Sequence, residues 1–504
     1  MNRNEVPIYG LFETSYQIEG TGLGLLEGLF DHESGARVRV EGFYDGEGAH
    51  RLRFMPTATG DWRYRVNSRG QRIAQGTLTC VPSAIPGPLR QDPQHPYHFL
   101  FANGAPFYMM GNTIYNGIVT YGVDRPALRE FLDYYAARRF NWMRFFLQQT
   151  TWPTLGGVVW PWGGTPEEPD FTSFNLETFR DAEGLIQELA SRGIIASVIL
   201  LHAHDEPLHQ AGPAAMPIAK EFIRYAVARL GSYWNVVWNL ANEWQRALTY
   251  SYDDMDELGW LLHHLDPYQR LTSCHHYERF EFYDRAWTDM SSLQQRGLPH
   301  EVNQWLLQNR RFGKPTLNEE YGYEGDNHSP PNDADNVRHD HWAIALAGGY
   351  GTYGDKTKGP KIAVYFSAVL RDAVGTTAPE ALQHLQSFMS NTGYREMEPA
   401  NDFLSGCDRQ LAFCLARPGR EYIVYLVQGQ PFRLNLTHVR GTLSARWYNP
   451  RDGGWLPAPD IAIAQSPEDQ ADGEMSWQGL SRRQQVQFQP PDLENDWVLY
   501  LLKK

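Results

Sequence analysis

Two stretches end on carboxylates in a way that could do chemistry: "VVWNLANEW", residues 236–244, and "KPTLNEEYGYEG", residues 314–325. Each is an apolar run closing on acids, Glu243 in the first and Glu319 with Glu320 in the second. Two carboxyl groups facing across a cleft can divide the cleavage of a glycosidic bond. One, kept protonated by its surroundings, donates to the leaving oxygen, and the other attacks the anomeric carbon. Side chains alternate along a strand with a period of two, which sorts the candidates. Asn239, Ala241 and Glu243 share one face of the first run, against Trp238 and Leu240. Thr316, Asn318 and Glu320 share a face of the second, against Leu317 and Glu319. The polar faces belong at a cleft, so Glu243 and Glu320 are the expected catalytic pair. Glu319 is then expected to hold a neighbouring loop or helix end. Alternation weakens at a strand end, so Asn242 can also reach the cleft, where it could hydrogen-bond a sugar hydroxyl. A single acid at a strand end is ordinarily a solvated turn residue; here it is the pairing that points to function.

Further candidates lie on nearby runs. "LLHAHDEP", residues 200–207, gathers His202, His204 and Asp205. These are metal-ligand types, but no third separate ligand cluster accompanies them. The favoured reading is sugar hydrogen bonding by His204 or Asp205, with no metal. Of His275 and His276, one is expected at the cleft and the other under a helix, with His276 or Tyr277 as the substrate contact. "TTWPTLGGVVWPWGG", residues 150–164, is too rich in Gly and Pro for a helix. Trp152, Trp160 and Trp162 could wall a cleft, because ring faces stack on the C–H faces of sugars; otherwise they seal loop against loop. In the polar stretch "YGYEGDNHSPPND", residues 321–333, Tyr323, Glu324 and Asp326 are candidates to line the mouth.

These residues need elements to position them. Between about residues 89 and 400, short apolar runs alternate with amphipathic helical stretches, the pattern of βα units. The runs are "FYMMGNT", "FNWMRFFL", "IIASVILL", "VVWNLAN", "LTSCHHY", "DMSSLQ", "KPTLNEE" and "GGYGTYG". Among the helices, "DRPALREFLDYYAARR" is capped by Asp124 and "LETFRDAEGLIQELASRG" ends on Gly193. Eight strands in this length predict a (β/α)8 barrel, whose catalytic groups sit at the C-terminal ends of its strands. Glu243 and Glu320, 77 positions apart, then fall on strands four and seven. Residues 1–86 read as an all-β sandwich, "PSAIPGP" (82–88) as a linker, and 401–504 as a second β-sandwich. The expected fold is α/β: a central TIM barrel over 89–400 between two β-sandwich domains.

The 504 residues carry a formal net charge of −14 and no long Lys/Arg run, which argues against a nucleic-acid partner. The 16 Trp and 27 Tyr suit both protein cores and sugar faces. Cys80, Cys274, Cys407 and Cys414 form no C-x-x-C pair, and a Cys407–Cys414 bridge is left open. No apolar run of about 18 residues suggests a membrane span. The start, "MNRNEVPIYG", lacks the apolar segment of a secretory signal. The expected location is cytoplasmic as the sequence stands, and periplasmic or secreted if a signal was removed.

"NEW" at the end of strand four and "EEYGYEG" at the end of strand seven resemble the retaining glycoside hydrolases of the large (β/α)8 clan, clan A. There the acid/base follows an Asn on strand four, and the nucleophile sits on strand seven, often in an E-[FY]-G context. The resemblance implies Glu243 as acid/base, Asn242 as its hydroxyl-binding partner and Glu320 as nucleophile. It also implies that Arg144, in "FNWMRFF" on strand two, supports the nucleophile; a structural ion pair is the alternative for Arg144. "FMPTATGDWRY" and "WYNPRDGGW" are similar to the flanking domains of a bacterial glycosidase group, the apiosidase-like relatives. Those carry an N-terminal β-sandwich of unknown function and a C-terminal collagen-binding-like β domain, and the likeness covers nearly the whole chain. One feature departs from the clan. Its Trp at the end of strand eight is replaced in "GGYGTYGD" by Tyr350 and Tyr353, of which Tyr353 is the candidate sugar contact.

The function implied is a retaining glycoside hydrolase acting on a plant or microbial poly- or oligosaccharide, with no cofactor. A non-catalytic carbohydrate-binding barrel is the first rival. A metal-dependent hydrolase using His202, His204 and Asp205 is the second. Residue spacing leaves the sugar, the linkage and endo or exo action open. It equally leaves the flanking sandwiches free to bind glycans, shape the cleft or form a homo-oligomer.

Overall fold

The structure is a computed structural model, and it describes residues 4–154, 156–202, 207–246, 249–277, 280–325, 332–354, 377–463 and 484–504. Eight parallel strands form the central sheet: β1 (Gly111–Thr113), β2 (Trp142–Phe146), β3 (Ile195–His202), β4 (Val236–Asn242), β5 (Thr272–Ser273), β6 (Ser291–Leu293), β7 (Thr316–Asn318) and β8 (Tyr350–Tyr353). Their hydrogen-bonded order is β5-β4-β3-β2-β1-β8-β7-β6. A bridge between His275 and Ser292 closes the ring, giving the expected barrel. Every residue of β2, β3 and β4 is buried. Parallel strands covered on both faces read as such continuous apolar runs.

Among the described residues, seven helices longer than ten residues pack outside: α1 (Arg125–Ala137), α2 (Leu176–Ser191), α3 (Ala215–Leu230), α4 (Tyr252–Leu265), α5 (Pro299–Asn309), α6 (Ala334–Leu346) and α7 (Ala378–Ser390). Local chemistry sets their ends. The Asp124 side chain accepts from the Ala127 N–H at the start of α1, and Leu128, Phe131, Leu132 and Tyr135 form its buried stripe, the spacing of an amphipathic helix. Asn175 accepts from the N–H groups of Glu177 and Thr178 to start α2. The chain leaves α2 through Gly193 at φ +70°, where a Cβ would be penalised. Among the described residues no helix separates β5 from β6.

Two features differ from the expected layout. The run "FYMMGNT" divides, because Pro106–Phe107 joins a separate three-stranded sheet with Leu89–Gln91 and Phe99–Phe101. Phe99 of that sheet packs on Trp142 and Tyr350, the first residues of β2 and β8, at ring distances of 6.4 and 5.2 Å. The sheet therefore covers the end of the barrel opposite the mouth. The Gly/Pro-rich segment after β2 forms two hairpins, Gln149–Thr154 with Gly157–Val159 and Trp162–Gly164 with Pro169–Phe174.

The N-terminal region holds a five-stranded and a three-stranded sheet around Phe30, Phe54 and Trp62. It meets the barrel through Arg53, whose Nη1 donates to Glu183 at 2.6 Å and to the Arg229 carbonyl at 2.8 Å. The C-terminal region holds a six-stranded and a three-stranded sheet. There Trp342 of α6 stacks on Tyr425 with ring centres 5.2 Å apart. All four cysteines are free, so Cys407 and Cys414 are not bridged. No helix among the described residues is long and apolar enough to cross a membrane.

Candidate active site

The site lies at the C-terminal ends of the barrel strands. β4 ends at Asn242, and Glu243 follows with φ +49°, a sparsely populated region for a residue carrying a Cβ. This turn interrupts strand alternation, so the adjacent side chains of Asn242 and Glu243 are both brought to the cleft. β7 ends at Asn318, and Glu319 and Glu320 follow.

Three groups converge on one oxygen of Glu320. The Tyr115 hydroxyl donates to Oε2 at 2.7 Å, Arg144 Nη1 lies 3.5 Å from it and His275 Nε2 lies 4.0 Å from it. Arg144, on β2, is wholly buried. Its Nη1 also donates to the Tyr115 hydroxyl at 2.9 Å, and its Nη2 donates to Asn242 Oδ1. A guanidinium has donors only, so it fixes the Asn242 amide with Oδ1 inward and the Nδ2 donors turned elsewhere. Glu319 accepts from the Ser292 hydroxyl of β6 and lies 3.9 Å from Arg144 Nε. It thus holds a neighbouring strand rather than a loop or helix end.

Electrostatics couple these groups. Burial and then the charge of Glu243 hold the pKa of Glu320 above the usual carboxylate value, and Arg144, the Tyr115 hydrogen bond and Arg296 offset only part of that rise. Carboxyls that interact in this way titrate as a pair. Burial also works against the charge of Arg144, but Tyr115, Glu319, Glu320 and Tyr323 outweigh it and hold the guanidinium protonated. Burial, and then the Arg144 charge, depress His275 well below the usual imidazole range, so it is neutral. On the solvent side of Glu243, Arg246 Nη1 lies 3.4 Å from Oε2, and its guanidinium sits 4.6 Å over the exposed Tyr277 ring.

The structure thus brings Glu243, Glu320, Asn242 and Arg144 together. Tyr323 joins them, its hydroxyl 3.3 Å from that of Tyr115. Other expected contacts lie elsewhere. His276 turns away from the cleft, with Nδ1 2.5 Å from the Tyr283 hydroxyl, and burial lowers its pKa to about 3. Trp160 and Trp162 are buried against each other and Phe171, sealing the second hairpin. Tyr353 packs on Tyr135 and Phe140, and its hydroxyl donates to Glu324 at 2.8 Å. The side chain of Trp152, together with His204, Asp205 and Asp326, lies outside the described residues. Among the described residues, no three or more His, Cys, Asp or Glu side chains group to hold a metal.

Tyr115 carried no signal in the sequence, and His275 was expected only as one of a pair with His276, of which His276 was named as the substrate contact. The signal for His275 was present. Cys274 belongs on the apolar outer face of its run, so by alternation His275 points inward and His276 outward. Tyr115 lies two residues beyond β1, where no period applies.

Comparison with known proteins places this site in context. Residues 94–394 match the profile described as "Apiosidase-like, catalytic domain". Residues 25–69 match a domain of unknown function, and 399–502 match a "Putative collagen-binding domain of a collagenase". Among solved structures, a "putative glycoside hydrolase" from Bacteroides vulgatus is 20% identical with a TM-score of 0.80, all of each chain being covered. A glycoside hydrolase family 5 protein from the same organism is 17% identical with a TM-score of 0.67, covering 84% of this chain and 95% of its own. These likenesses are of fold. No curated protein matches the chain.

Proposed function

Because this chain belongs to the family of apiosidase-like catalytic domains, we propose that it is a retaining glycoside hydrolase that cleaves a poly- or oligosaccharide by double displacement. The observation that carries the reading is the convergence of Tyr115, Arg144 and His275 on Oε2 of Glu320. With these contacts on Oε2, Oε1 is the oxygen that faces the anomeric carbon. Arg144 and Tyr115 offset part of the rise that burial and Glu243 impose on the proton affinity of Glu320, and the reaction requires the pair to meet its substrate with Glu320 ionised and the shared proton on Glu243. In the first step Oε1 attacks the anomeric carbon while Glu243 gives its proton to the departing glycosidic oxygen. A glycosyl ester on Glu320 and a free alcohol result. In the second step the Glu243 carboxylate takes a proton from water, the water oxygen attacks the same carbon, and Glu320 departs as carboxylate. Asn242, its amide oriented by Arg144, directs Nδ2 to a sugar hydroxyl.

The test is hydrolysis of a glycan panel by the wild type and by Glu243→Gln and Glu320→Gln. Loss of turnover in both variants is expected, with the product first released in the substrate's anomeric configuration, as read by proton NMR. Near-normal turnover by both variants removes the assignment, and an inverted first product removes the double displacement.

A further inference from the structure

We propose that a crevice between α7 and the C-terminal sandwich binds a neutral sugar unit of a polysaccharide chain, at a site separate from the catalytic mouth. The choice of a saccharide rests on the glycoside-hydrolase reading; the crevice and its chemistry do not. The crevice holds about 360 Å³, and Phe388, Tyr448 and Trp455 form its aromatic wall, with Ser387, Asn391 and Asp452 at the rim. A barrel helix that follows a strand starts at the mouth and runs back toward the opposite end. Residues 387–391, at the far end of α7, are therefore remote from Glu243 and Glu320.

The wall is built to present the ring of Trp455. Trp455 stands 44% exposed, nearly parallel to Phe388 at 5.6 Å and 4.8 Å from Tyr448. Phe388 and Tyr448 are buried behind it, the Tyr448 hydroxyl donating to the His384 carbonyl at 3.0 Å, so they fix the Trp455 ring whose outer face is left for a ligand. Asp452 is held in place by Asn449 Nδ2 at 2.9 Å and the Gly454 N–H at 2.8 Å. Each carboxylate oxygen keeps a further lone pair for a hydroxyl donor. Gly453, at φ +76°, lets this turn close against α7, since a Cβ there would lie 2.6 Å from His384 Nδ1.

Apolar ring faces beside fixed hydrogen-bonding groups complement a pyranose or furanose, which is apolar on its C–H face and polar at its edge. Among the described lining residues none is Lys or Arg, while one is a carboxylate, so a neutral sugar fits better than an acidic one. A proline-rich peptide, the alternative suggested by the collagen-binding profile, needs an extended aromatic groove. This crevice is small, near the low end of the roughly 300–1,000 Å³ of small-ligand sites.

The test uses the full chain in native gels cast with galactomannan, xyloglucan or arabinan, alongside Trp455→Ala, Trp455→Phe and the space-filling Ser387→Tyr. Binding of a (Pro-Pro-Gly)n peptide is measured in parallel. At least one polysaccharide is expected to retard the wild type. Trp455→Ala and Ser387→Tyr should weaken that association roughly tenfold or more, and Trp455→Phe should retain part of it. Hydrolysis of small glycosides and the thermal midpoint should stay at wild-type values. Retardation that survives both Trp455→Ala and Ser387→Tyr, or no retardation in any gel, overturns the proposal. So does peptide binding that depends on Trp455 while the glycans fail to bind. Trp455-dependent retardation of a chain that hydrolyses no glycoside would instead remove the catalytic reading and leave the crevice in place.

Discussion

Glu320 owes its character to what reaches its Oε2, and the closest group is the Tyr115 hydroxyl at 2.7 Å. A hydrogen bond to a charged group is worth about 1.5–3 kcal/mol, or roughly 10- to 150-fold in rate if it is present in the transition state. Tyr115→Phe is expected to lower kcat/KM by about that factor. It also makes a prediction about pH. Tyr115 lowers the proton affinity of Glu320, and Glu320 attacks only when ionised. Removing the hydroxyl raises that affinity, so the acidic limb of the kcat/KM profile should move to higher pH. An unmoved limb with unchanged kcat/KM would show that Tyr115 does not tune the nucleophile. At this scale the sequence was readable wherever an apolar run delivered a polar end, as for Asn242, Glu243 and Glu320, whereas Arg144, in the middle of β2, was reached only through the family resemblance. It was not readable where the backbone broke pattern. The left-handed turn at Glu243 carries no glycine to mark it, and Tyr115 reaches Glu320 from a turn 205 positions away.

The hairpins after β2 show how an element decides what its residues do. Trp162 is 1% exposed and packs on Phe171 at 5.3 Å and on Phe222 of α3 at 5.2 Å. Truncating a buried Trp costs about 3–5 kcal/mol, so Trp162→Ala should lower the unfolding free energy read from denaturant melts by that order and leave KM unchanged. A raised KM at unaltered stability would return Trp162 to the cleft wall. At the end of β8, a Cβ on Gly354 would collide with the Tyr323 ring. Gly354→Ala should therefore displace Tyr323 from Tyr115 and reduce kcat, which steady-state kinetics on the responsive glycoside would read; wild-type kcat would show that the Tyr323 hydroxyl does not support Tyr115. Barrel strands such as β2, β3 and β4 were legible because runs buried on both faces stand out from the helical stretches. The short pieces were not. Pro106–Phe107 and Gly111–Thr113 read as one strand because neither is long enough to show a period. The hairpins were hidden behind glycine and proline, which announce turns without saying what they connect.

Across the whole molecule, the two flanking regions are fastened to the barrel by buried ion pairs as well as by apolar contacts. On the N-terminal side Glu183 of α2 is shared by Arg53 and Arg229. On the C-terminal side Asp496 accepts from Arg338 Nε of α6 at 2.8 Å, Arg451 Nη1 at 2.6 Å and the Tyr425 hydroxyl at 3.0 Å. Burial alone would raise the pKa of Asp496, but the Arg338 hydrogen bond and charge, with His339 and Arg451, hold it below the usual value. A carboxylate whose folded pKa is depressed stabilises the fold above its unfolded pKa, and that stability is lost as pH falls through the folded value. Breaking a buried pair from one side costs about 3–5 kcal/mol, because the partner cation is left uncompensated. Asp496→Asn is therefore expected to lower the stability of the joint between α6 and the sandwich by that order at pH 7. With an unfolded Asp pKa of about 3.9, the gap from wild type should narrow progressively as pH falls below about 4 toward the depressed folded value, the unfolded chain taking up the proton first. Calorimetric midpoints of both proteins at pH 7 and pH 3 check this. A gap of equal size at both pH values would show that Asp496 acts there by shape, with its charge contributing nothing.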